Sequence, residues 1–125
     1  MTQEKIFETK IKKFLEDYGK AQNKPIWFVK FWGGNLRTSS NNFIKTKPGT
    51  PDLLINCNGV FIGAEVKAEG GTPSDKQLIE IQAINKAGGI GVIVYPKDFN
   101  KFCVMIAKLM KDNRNIDEIR RAYYN

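Results

Sequence analysis

The chain has 125 residues, 42% apolar and 26% charged, with 20 Lys and Arg against 13 Asp and Glu and so a formal charge of +7. That is enough sequence for one globular domain with a single core, expected over residues 1–125, and too apolar for a disordered chain. Histidine is absent, which excludes His-based zinc sites and Ser-His or Cys-His triads and leaves carboxylates, lysine, hydroxyls or a hard metal ion to carry any chemistry.

The basic balance suits a polyanionic partner held through phosphate contacts. No run of 18 apolar residues occurs, and the opening MTQEKIFETK has no signal-peptide core, so the expectation is a soluble, cytoplasmic protein without a membrane partner. Cys57 and Cys103 lack CxxC spacing and read as reduced core residues.

The first element is a helix over 2–19. Phe7, Ile11, Phe14, Leu15 and Tyr18 form its apolar stripe, and Gly19 is expected to stop it. Glu8 borders that stripe and Glu4 lies nearer its centre. Helical geometry does not choose between them as a functional acid, and either would suit the positive end of the helix dipole. Pro25 then opens an apolar run, Ile26 to Trp32, interrupted only by Lys30; it reads as a strand whose Trp27 and Trp32 pack in the core or at its rim. Residues 33–48, GGNLRTSSNNFIKTKP, are polar and basic with little periodicity, and predict a long connection. Such connections tend to be functional. This one leads into Asp52 and would set Arg37, Lys45 and Lys47 around it as a flexible strip gripping a phosphate backbone.

The stretch that organises the chain is 49–67, GTPDLLINCNGVFIGAEVK. Asn58-Gly59 predicts a two-residue type I′ turn, which requires positive φ at both positions. The hairpin then pairs Cys57 with Val60, Ile55 with Ile62, Leu53 with Ala64 and Asp52 with Glu65. Alternation puts Leu53, Ile55, Cys57, Val60, Ile62, Ala64 and Val66 on one apolar face, and Asp52, Glu65 and Lys67 together at the open end of the other. Residues directly opposed in this way have Cβ atoms ~4.5–5.5 Å apart, and like charges so placed repel. A divalent cation with oxygen ligands relieves that repulsion.

After AEGG, Thr72 is expected to cap a helix with Pro73 at its first position and Asp75 two residues further in, ending near Ala87. Gln77 shares a face with Ile81 and Ile84, so its amide needs a buried partner, and the hairpin's open end is the nearest candidate. Ile90 to Tyr95 reads as a central strand. Asp98 is expected to cap a helix bearing Phe99, Phe102, Ile106 and Leu109, and Asn115 a last one bearing Ile116, Ile119 and Tyr123. Lys97, Lys101, Lys108, Lys111, Arg114, Arg120 and Arg121 make this end basic, as a second polyanion-contacting face or part of a dimer surface. The element order, α-β-β-β-α-β with C-terminal helices, defines an α/β fold: a mixed β-sheet flanked by helices.

The PD of Pro51-Asp52 followed by the ExK of Glu65 to Lys67 resembles the PD-(D/E)XK nuclease superfamily. The ordered set GTPDLL, NGVFIGAEVKAEGG, SDKQ and AGGIGVIVYP is similar to its VRR-NUC branch and to the related Holliday-junction resolvases, over about residues 7–96. That resemblance implies a restriction-endonuclease-like fold and a metal-dependent DNA endonuclease selective for branched structures, with Holliday-junction resolution by a homodimer the first candidate. A nicking or flap-type nuclease, or an inactive DNA-binding module on the same fold, are the alternatives. It implies Mg²⁺ or Mn²⁺ on Asp52, Glu65 and the Val66 carbonyl, and Gln77 as a support for the site. It also implies an acid eleven residues before a helix-ending glycine, which selects Glu8 for a second ion or its water. Lys67 lies among carboxylates that favour its charged form. Its expected role is therefore first to stabilise transition-state charge and only second to take a proton.

Overall fold

The computed structural model describes residues 1–32, 35–37, 43–45 and 47–125, with side chains excluded from 33–46. Helices α1 (Gln3–Ala21), α2 (Asp75–Lys86), α3 (Phe99–Lys111) and α4 (Ile116–Tyr124) accompany strands β1 (Trp27–Lys30), β2 (Asn35–Arg37), β3 (Phe43–Lys45), β4 (Leu53–Cys57), β5 (Val60–Val66) and β6 (Ile90–Val94). The main sheet runs β1-β4-β5-β6. Its first three strands are antiparallel and β6 joins β5 in parallel, the mixed sheet of an α/β fold.

The hairpin forms as the turn residues dictate. Asn58 and Gly59 have φ of 52° and 86°, and β4 pairs with β5 from Cys57↔Val60 to Leu53↔Ala64. The turn is also tied down from outside. Asn58 Nδ2 donates to the Leu109 carbonyl at 2.9 Å and Asn113 Nδ2 donates to the Asn58 carbonyl at 2.7 Å, so the hairpin tip occupies a carbonyl that the end of α3 leaves without a helical partner.

All seven residues of the expected apolar face are buried. They meet Phe7, Ile11 and Leu15 of α1, Phe102, Ile106 and Leu109 of α3, and Ile119 and Tyr123 of α4 in one cluster. Phe99 joins α3 to α1 edge-on, its ring 6.2 Å from Phe7 and 6.0 Å from Phe14. On the opposite face α2 lies across β5 and β6, where glycines let the backbones approach. A Cβ on Gly91 would stand 2.4 Å from the Ile81 carbonyl oxygen, and one on Gly63 would stand 2.6 Å from Ile84 Cδ1. Asn85 fixes that approach, its Oδ1 accepting the Gly91 N–H at 2.7 Å and its Nδ2 donating to the Gly91 carbonyl at 3.2 Å.

Several local expectations need correction. Gly19 does not end α1, which continues to Ala21; the chain turns instead at Asn23, whose φ is 55°. Gly19 is required because a Cβ there would stand 2.9 Å from the Ile26 nitrogen. Helix α2 is capped by Ser74, not Thr72. Ser74 accepts the Gln77 N–H while the Gln77 side chain returns to the Ser74 N–H, a reciprocal box that a cap at Thr72 could not form with Asp75 at its third position. Asp98 accepts the Tyr95 N–H at 3.1 Å across a short 3-10 turn (Pro96–Asp98) and makes no capping hydrogen bond to α3, pairing instead with Lys101 at 3.5 Å; Asn115 likewise makes no capping hydrogen bond to α4. The strand expected over 26–32 is limited to 27–30, and of the two places expected for Trp27 and Trp32 the core is ruled out, since both are exposed. Finally, 33–48 is not irregular throughout, because β2 and β3 pair antiparallel within it. Three-residue strands are too short to register as alternation.

Candidate active site

The open end of the hairpin gathers four of the expected side chains, and backbone geometry accounts for each. Asp52 lies one residue before β4. Its carbonyl accepts the Phe31 N–H at 2.7 Å and its N–H donates to Glu65 Oε1 at 3.2 Å, so it is held from both neighbouring strands. Reciprocally, Asp52 Oδ2 accepts the Val66 N–H at 3.0 Å. Beyond Leu53↔Ala64, where the β4–β5 ladder ends, side chains take up the main-chain donors: Asp52 the Val66 N–H and Glu65 the Asp52 N–H. The cause is Pro51. Continued two residues, the register sets Pro51 opposite Val66, and proline has no N–H to give the Val66 carbonyl.

Glu65 is 2% exposed. Its Oε2 accepts from Gln77 Nε2 at 2.7 Å and lies 3.5 Å from Lys67 Nζ. Both ends of the Gln77 amide are engaged, since its Oε1 also accepts the Ser74 N–H at 2.8 Å. The start of α2 is thus locked onto the carboxylate. Burial, and then the charge of Asp52, push the Glu65 carboxyl up to about 7 against the pull of Lys67 and the Asp52 N–H. The charge of Asp52 thus disfavours charge on Glu65, as an opposed carboxylate should.

Glu8 approaches from the other side of the sheet. It is buried on α1 and reaches the hairpin through Lys30, whose Nζ lies 2.5 Å from Glu8 Oε1 and 3.5 Å from Asp52 Oδ1; Lys12 stands 3.6 Å from Glu8 Oε2. Burial works against the charge on Lys30, but Glu8 and Asp52 outweigh it and raise its pKa above the ordinary lysine value. Glu4, the competing acid, makes no ion pair among the described residues. Lys30 is the functional candidate that motif reading passed over. Its signal was legible as the one charge inside an apolar strand.

The donor set suits a hard divalent ion: two carboxylates whose mutual repulsion a cation would relieve, beside the Val66 carbonyl, to which Pro51 has no N–H to donate. Among the described residues, no three His, Cys, Asp or Glu side chains are gathered closely enough to hold an ion, and Lys30 pairs with both Glu8 and Asp52.

Of the three residues expected to contact DNA, the side chains of Arg37 and Lys45 lie outside the described residues. Lys47 pairs with Glu80 of α2 at 2.9 Å. At the basic C-terminal end, Arg114 is paired with Asp112, and Arg120 with Asp117 and the Gly89 carbonyl. Cys57 and Cys103 are both free, the first buried and the second half-buried. Among the described residues, no helix is long and apolar enough to cross a membrane.

Comparison with protein-family models, with curated proteins and with solved structures returns no match to this chain. The functional reading therefore rests on the site itself.

Proposed function

We propose that this chain is a metal-dependent, structure-selective DNA endonuclease of the PD-(D/E)XK type, resembling the VRR-NUC branch, and acting as a homodimer on branched DNA. The observation that carries this reading is the crossed pair Asp52–Glu65, with Lys67 and Gln77 on the same buried carboxylate oxygen.

Asp52, Glu65 and the Val66 carbonyl would hold Mg²⁺ or Mn²⁺. Such an ion supplies Lewis-acid activation of the phosphodiester and of water at neutral pH. The protein's own groups do the remainder. Lys67, whose side chain is 15% exposed, stabilises the negative charge that grows on the phosphoryl oxygens. Gln77 fixes the rotamer of Glu65, and the main-chain bonds of Asp52 fix the other ligand, so the pair needs little reorganisation when the ion arrives. The +7 charge supports a phosphate-backbone partner. Symmetric cutting of a four-way junction needs two such centres, which is the argument for a homodimer.

The test incubates the protein with labelled four-way junction, flap, linear duplex and single strand, with Mg²⁺, Mn²⁺ or EDTA. Metal-dependent nicks concentrated on the junction are expected, abolished by Asp52→Asn and strongly reduced by Lys67→Ala while binding persists. Even cutting of all substrates would favour a nicking or flap-type enzyme. Binding without cleavage in either metal would favour an inactive DNA-binding module.

A further inference from the structure

Among the described residues, Lys30 is the one cation that touches both the helix acid and the hairpin pair. Its Nζ lies 2.5 Å from Glu8 Oε1 and 3.5 Å from Asp52 Oδ1, in a setting where the three side chains are 23%, 10% and 24% exposed. It stands on a strand, in register with Leu53, and so leaves the sheet on the α1 side. Its approach is therefore set by backbone pairing rather than by a mobile loop, and Trp32 flanks it with its ring centre 5.4 Å from the ammonium.

A second divalent ion serving both Glu8 and Asp52 would have to occupy the ground between those carboxylates. In two-metal centres the ions lie ~3.5–4 Å apart, bridged by shared ligands. Here that ground already holds a positive charge. The ammonium is tethered, so it loses no translational freedom by staying, whereas a free ion must shed water and displace it. Lys12, 3.6 Å from the other Glu8 oxygen, adds a further positive charge against the newcomer.

We propose that Lys30 stands in for the second ion. The centre then binds one divalent metal, at Asp52 and Glu65, and Glu8 serves as partner to the lysine rather than as a metal ligand. Lys30 is accordingly a positioning residue. It holds Asp52 Oδ1 in place and neutralises Glu8, which would otherwise repel an approaching phosphate. This deepens the proposed function and rests on it, since it presupposes an ion at the carboxylate pair.

The test is the stoichiometry of Mn²⁺ binding to the DNA-free full chain, read from the free-ion electron paramagnetic resonance signal. Wild type, Lys30→Met, Lys30→Arg and the double variant Lys30→Met/Glu8→Gln are compared. One ion is expected in the wild type and in Lys30→Arg, which keeps the charge. Lys30→Met should bind two, and adding Glu8→Gln should return the count to one. Should Lys30→Met not fold, Glu8→Gln alone decides, because the wild-type count and affinity must survive it. Two ions in the wild type, one in folded Lys30→Met, or an ion lost with Glu8→Gln would overturn the proposal while leaving the carboxylate-pair site standing. No ion bound by the wild type would remove the metal reading itself, and this proposal with it.

Discussion

Glu65 carries the sharpest consequences. With its carboxyl raised from 4.5 to about 7 in the metal-free fold, folding favours the protonated form. That stabilisation is complete below about pH 4.5 and is lost as the pH rises through about 7. The metal-free protein should therefore unfold at progressively lower temperature across this window in EDTA. Added Mg²⁺ should restore the loss above it and do little at pH 5, where ion and proton compete for one carboxylate. A melting temperature indifferent to both pH and Mg²⁺ would contradict the account of Glu65. Gln77 tests the same carboxylate through its support. Gln77→Ala removes the 2.7 Å bond, and loss of such an outer partner typically costs about 10–100-fold in metal affinity or activity. The helix cap breaks with it, so Gln77→Glu is the useful companion. It keeps the oxygen that caps Ser74 but sets a third carboxylate beside the pair, and should weaken the site while preserving α2 by circular dichroism. Lys67→Ala should lower the rate of cleavage by about 10²–10³-fold at saturating metal, with Mn²⁺ affinity little changed.

The hairpin was the most legible element, because its register follows from one turn and a period of two. Leu53 to Val66 fall on the faces that alternation assigns them, and Asn58-Gly59 forms the turn its sequence demands. Gly59→Ala should cost about 1–2 kcal/mol from left-handed strain alone, read as a lowered denaturant midpoint. Helix boundaries were less legible. Whether a Ser or a Thr caps α2 depends on which one finds a glutamine three residues on, and Gly19 is needed for a neighbouring backbone that no local pattern reveals. The Glu8–Lys30 contact was illegible for a related reason: it joins residues 22 apart that meet only once α1 and β1 are packed. Helix α2 shows how an element places a functional group. Asn85 and the bare Gly91 set its distance from β6, and the same rigid helix carries Gln77 to Glu65. Gly91→Ala should push α2 outward, lowering the melting temperature and metal affinity together. A variant that loses stability but keeps wild-type metal affinity would uncouple the two.

At the scale of the whole molecule, one face of the sheet supplies stability and one end gathers the acids. Helices α1, α3 and α4 bury the apolar face, α2 covers part of the other, and the acids collect where the ladder stops at Pro51. The net charge of +7 acts at longer range. On the proposed reading, DNA binding should weaken steeply and linearly in log affinity against log salt, and a four-way junction should recruit two chains, measurable by sedimentation. The proposed activity depends on the Asp52–Glu65 pair acting as a divalent-ion site. That role is tested most directly by an anomalous difference map from crystals soaked in Mn²⁺. A peak is expected at about 2.1 Å from both carboxylates, the oxygen distance typical of a small hard cation, with the Val66 carbonyl as a third ligand. A map with no peak at the pair, in crystals where the site is open to solvent, would contradict it.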